Sequence, residues 1–144
     1  VVASRDWHHG DDDNGGHFAT GEPDFVDTWP VHCVAGTPGA AYHPALDASL
    51  VDVHVYKGQG EPAYSAFEGE TEDGATLAAV LDEHGIDELV VVGIATDYCV
   101  KASALDGLPV VPTVTVVDGL TAAVAPGTRA AALTELADAG VVVR

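Results

Sequence analysis

The chain has 144 residues, 47% of them hydrophobic, the size of one α/β domain with room for a sizeable core. Its formal charge of -18 comes from 23 acidic residues against five basic ones, which leaves no basic surface to neutralise phosphates and argues against nucleic acid as a partner. Two cysteines far apart, with no leader and no long apolar run, give no support for secretion, a membrane span or a disulfide scaffold, and the expected location is the cytoplasm.

The opening VVAS reads as part of a strand, and because it lacks a starting methionine the expectation is a single domain over 1–144 that is N-terminally incomplete. Residues 9–49 follow without apolar periodicity and hold most of the histidines. At about forty residues this stretch exceeds the usual ~12–15 residue limit for structureless loops, and Phe25, Trp29, His32 and Tyr42 are poor residues for disorder, so a functional excursion is expected. The β-branched runs VDVHVYK, ELVVVGI, VPTVTVVD and VVVR read as further strands covered on both faces. Between them TLAAVLDEHG and GTRAAALTELADAG have helical periodicity, each ending on a glycine suited to the position past a helix end. Strands alternating with helices imply a parallel sheet with right-handed crossovers.

In an open parallel sheet, ligands bind beyond the carboxyl ends of the strands. Those ends carry RDWH, KG and ATDYC, which gathers an aspartate, a histidine, a lysine and a cysteine on one edge. Asp6 and His8 are two apart, so in an extended segment they leave on the same side and can share a metal, whereas His9 points away. His17 and His32 join them if the loop folds back, a set suited to zinc, iron or manganese; any one histidine alone reads as surface or hydrogen-bonded core, and the Asp-x-His pair shifts the reading toward a ligand set. Cys99 falls on a strand-to-helix turn, where backbone N–H groups and the helix dipole stabilise a thiolate. Lys57 adds a positive charge from a neighbouring strand end, or is simply a solvated strand terminus. Asp97 reads as a helix cap beside the thiol. Cys33, framed by no strand end or helix start, reads as structural.

RDWH, WPVHCVAGTPGAAYHP, VYKG with AYSAFEG, and GIATDYCVKASALD together resemble the nicotinamidase/pyrazinamidase branch of the isochorismatase-like cysteine hydrolases, over the whole of Val1 to Arg144. The resemblance implies a three-layer α/β/α fold with a mainly parallel sheet, and hydrolysis of nicotinamide, and of pyrazinamide as well, through a thioester. It implies metal ligands Asp6, His8, His17 and His32 around one divalent transition metal, zinc above iron or manganese. It further implies Cys99 as nucleophile, Lys57 as the lysine of the triad, an oxyanion hole at the backbone N–H groups of Ala95 and Cys99, and a cis peptide at Ile94–Ala95. Trp29 and Tyr64 match the aromatic walls of the ring pocket, with Ile94 beside them. The implied partner is the small molecule nicotinamide, with no membrane and with a homo-oligomer open.

Two departures stand out. The family's third catalytic residue, an aspartate on a first central strand, has no counterpart in 1–144. Pro109 and Pro112 in KASALDGLPVVPTVTVVD end the helix after Cys99 near Asp106, leaving the segment to Val114 as either a shortened connection or an error in the sequence. A sibling hydrolase of another amide or carbamoyl compound, and an inactive metal- or ligand-binding member, are the competing readings. The acidity fits either a saline cytoplasm, where salt screens carboxylate repulsion, or a merely acidic enzyme.

Overall fold

Strand β1, Val2–Asp6, and strand β2, Val53–Lys57, pair in parallel with Asp6 opposite Lys57. The structure is a computed structural model that describes residues 1–144. Between the two strands, the long excursion forms no regular element beyond the 3-10 turns Pro38–Ala40 and Ala48–Leu50, as its lack of periodicity predicts. Isolated bridges His8–Val34 and Phe18–Trp29 tie it instead. The chain divides into two compact units: 1–63 with 68–75, and 64–67 with 76–144.

The second unit is built on a parallel sheet of order β3-β4-β5, with β3 at Glu88–Ile94, β4 at Thr113–Ala122 and β5 at Val142–Val143. Helix α1, Leu77–Glu83, starts where the Thr76 hydroxyl accepts the Ala79 N–H, and buries Leu77, Val80 and Leu81. Helix α2 spans Lys101–Gly107, ending one residue past the predicted stop. The N–H groups of Val110 and Val111 both donate to the Gly107 carbonyl, so the Pro109–Pro112 segment is a closed turn leading straight into β4. Helix α3, Pro126–Ala139, ends on Gly140 at φ 103°, a left-handed conformation that glycine adopts without steric cost.

Burial on both faces holds for β4, where Val114, Thr115 and Val116 are all buried, but not for β3. Val90, Val92 and Ile94 are 53%, 50% and 77% exposed. The alternate residue Leu89 faces Gly107 of α2, so within this unit β3 has cover on one side and β4, the middle strand, on both. An uninterrupted apolar run cannot distinguish these two situations. No helix is long and apolar enough to cross a membrane.

Candidate active site

Three of the predicted ligands converge. Ring nitrogens of His8, His17 and His32 lie within 4.8 Å of one another. His8 leaves the end of β1, and the other two are delivered by the excursion: the Trp29 N–H donates to the His17 carbonyl, and the His8 N–H to that of Cys33. The Asp24 carboxylate accepts the N–H groups of Val26, Asp27 and Thr28, which shapes the turn leading to Trp29 and holds that carboxyl below its usual range. Asp6, His32 and Cys33 form a second group of donors within the same 4.8 Å limit. His9 lies outside both, its ring bonded to Asp12 at 2.9 Å, as the alternation of an extended segment requires.

The orientation of the imidazoles suits ligation. The His8 Nδ1 lies 2.7 Å from the Gly58 carbonyl and the His32 Nδ1 2.8 Å from that of Pro30; a carbonyl only accepts, so each Nδ1 carries the proton and each Nε2 offers a lone pair. His8 Nε2 is buried and has no hydrogen-bond partner, a costly arrangement for a polar atom that a cation would relieve. Burial lowers the pKa of His8, against the opposing pull of the Gly58 carbonyl. Burial, followed by the neighbouring His8 and His32, pushes that of His17 down to about 4. Both rings are therefore neutral near pH 7, the state in which imidazole binds metal. With a carboxylate at hand, this nitrogen-rich set fits a divalent transition metal. Gly58 belongs to the same construction: at φ +76° it leaves room for the His8 ring, and a Cβ there would fall 2.6 Å from His8 Nδ1.

Lys57, buried at 3% exposure, forms an ion pair with Asp6 and donates to the Ala63 carbonyl at 3.2 Å. It is thus an interior cation and not a solvated strand end. The sequence placed both residues at strand ends; the parallel register makes them neighbours.

In the second unit, Cys99 sits half-buried in a π-helical turn, Thr96–Val100, that runs from β3 into α2. The Ile94–Ala95 peptide is cis. The Ala95 carbonyl accepts the N–H groups of both Tyr98 and Val100, and the Tyr64 ring packs on Tyr98 with centroids 5.4 Å apart. Asp97 departs from its expected role. Its carboxylate holds the entry to α3, accepting the Val124 and Ala125 N–H groups that precede the helix and the Thr128 hydroxyl, and the turn's own N-terminus has no side-chain cap. Thr128 carries no motif and escaped the sequence reading, as did the Cys33 thiol's place beside Asp6 and His32, for which adjacency to His32 was the available signal.

The isochorismatase domain family matches residues 1–144. The chain belongs to that family. It is 47% identical over 141 residues to the nicotinamidase/pyrazinamidase of Mycobacterium tuberculosis, covering 98% of this chain and 74% of that protein. PnC1 from L. infantum, solved in complex with nicotinate, superposes with a TM-score of 0.82 at 35% identity, covering 99% of this chain and 70% of that one. The pyrazinamidase of Pyrococcus horikoshii, solved in complex with zinc, gives 0.80 at 33% identity, with 99% and 73% covered. The isochorismatase-like fold expected from the motifs is the fold of these neighbours.

Proposed function

We propose that this family member hydrolyses nicotinamide to nicotinate and ammonia, and accepts pyrazinamide, through a thioester on Cys99. The convergence of His8, His17 and His32 carries the reading, because a metal-independent amidase has no use for three imidazoles brought together in this way. Asp6, His8, His17 and His32 would hold one divalent metal, zinc in preference to iron or manganese. Bound there, it would supply a Lewis acid for the pyridine nitrogen.

The chain's own residues account for the rest. Trp29, Tyr64 and Ile94 are proposed as the substrate-binding residues. The Cys99 thiol gives up its proton as the sulfur adds to the amide carbonyl, and the N–H groups of Ala95 and Cys99 hold the oxyanion; as the C–N bond breaks that proton leaves on the nitrogen as ammonia, and water cleaves the thioester to nicotinate and returns the thiol. Lys57 is proposed as the lysine of the triad. A carboxylate has two oxygens, so Asp6 can serve the Lys57 ammonium and a metal together. The substrate is a small molecule, and the cytoplasm is the location that suits it.

The test is ammonia and nicotinate formation from nicotinamide by the purified, zinc-loaded protein. Stoichiometric formation of both supports the reading. Hydrolysis of other amides but not of nicotinamide or pyrazinamide would contradict it.

A further inference from the structure

The turn that carries Cys99 is held from outside by two side-chain anchors, and both reach the same segment. Thr96, fully buried, bonds through its hydroxyl to that of Thr121 at 2.9 Å, and Thr121 in turn donates to the Asp118 carbonyl at 3.1 Å. Asp97, 6% exposed, accepts the Val124 N–H at 3.0 Å, the Ala125 N–H at 3.3 Å and the Thr128 hydroxyl. These bonds span 25 to 31 residues of sequence, so they fix tertiary placement and not local helicity. Burial alone would raise the pKa of Asp97, and the bonds from Thr128, Val124 and Ala125 outweigh it, so the carboxylate stays charged as a triple acceptor.

From this geometry we infer that Asp97 is a positioning residue for the nucleophile, clamping the Thr96–Val100 turn to the start of α3 so that the Cys99 thiol and the neighbouring N–H groups keep their attack geometry. Three donors converge on two carboxylate oxygens. An asparagine keeps at most two of the three bonds, because in either orientation its NH2 meets a backbone N–H, that of Val124 or that of Ala125, which it cannot accept. The inference rests on the assignment of Cys99 as nucleophile.

The experiment compares Asp97→Asn, Thr128→Val and the double variant, all zinc-loaded and assayed well below their melting transitions. Two readouts are taken: nicotinamide kinetics, and the rate at which iodoacetamide alkylates Cys99 near neutral pH, followed on the Cys99 peptide by mass spectrometry. Displacement of a reacting group by about an ångström costs on the order of 100-fold. Asp97→Asn is expected to lower kcat by 10- to 100-fold with KM within about twofold. Thr128→Val, which removes the hydroxyl's contacts with Asp97 and with the Ala125 carbonyl, is expected to lower kcat by about threefold or more, with less than multiplicative combination in the double variant. Alkylation should slow in the same order. If Asp97 acted only through its charge, its removal would speed alkylation, and that result would overturn the inference; so would lowered melting temperatures with kcat and alkylation unchanged. Alkylation needs no substrate, so slowed alkylation in a protein inactive on nicotinamide would sustain the clamp and reject the function.

Discussion

Lys57 and Asp6, register partners at the ends of β2 and β1, form an ion pair, with the lysine almost wholly buried and the carboxylate 23% exposed. Removing one partner from a buried pair leaves an uncompensated charge. Asp6→Ala should therefore destabilise the protein by on the order of 3 kcal/mol in urea denaturation, besides weakening metal binding. A variant as stable as the parent would show that the pair contributes nothing to the fold.

The His8–Gly58 relationship gives a second prediction. Gly58→Ala places a Cβ where the His8 ring lies, at a φ that disfavours alanine, so His8 must turn and its Nε2 leave the cluster. Zinc affinity should fall by roughly 10- to 100-fold, the usual cost of losing the orientation of a ligand. Isothermal titration with zinc decides it, and affinity equal to the parent's would separate Gly58 from the ligand set.

Replacing His32 by alanine removes a ligand outright, while Cys33→Ala tests the second donor group that the structure brings beside Asp6. Metal content by elemental analysis should fall in His32→Ala and persist in Cys33→Ala. The reverse pattern would move the metal to the Asp6, His32 and Cys33 group.

Asp97 also sets a pH dependence. Its folded pKa lies below that of an unfolded aspartate, so its stabilisation is fully present above about pH 3.9 and disappears as pH falls through the lower folded value. The gap in melting temperature between the parent and Asp97→Asn should be widest near neutrality and close in acid. A gap constant from neutral to strongly acidic pH would contradict the bonding pattern.

Much of this architecture was legible because strand and helix periods are local properties. Four β-branched runs after the opening strand, two glycine-terminated helices and the stop near Asp106 each follow from neighbours within a few residues. The ligand candidates were legible for the same reason: Asp6 and His8 share a side by alternation. What resisted was tertiary. The exposure of Val90 and Val92 depends on which layers cover β3, and the target of Asp97 depends on Thr128, 31 residues away. The burial of Lys57 follows from a strand register that no single run of sequence encodes.

The charge of -18 carries its own test. If the acidity is an adaptation to salt, melting temperature should climb steeply between low and molar potassium chloride as screening relieves carboxylate repulsion. A flat response would mark the acidity as unrelated to salinity.

The central claim is that Cys99 forms the covalent bond to substrate. Acid quenching of the zinc-loaded protein during nicotinamide turnover, followed by mass spectrometry of its cysteine peptides, tests it most directly. A nicotinoyl thioester on the Cys99 peptide and none on that of Cys33, with ammonia release abolished in Cys99→Ala, is the predicted result. Sustained ammonia release by Cys99→Ala, with no acyl group on Cys99 in the parent, would contradict it.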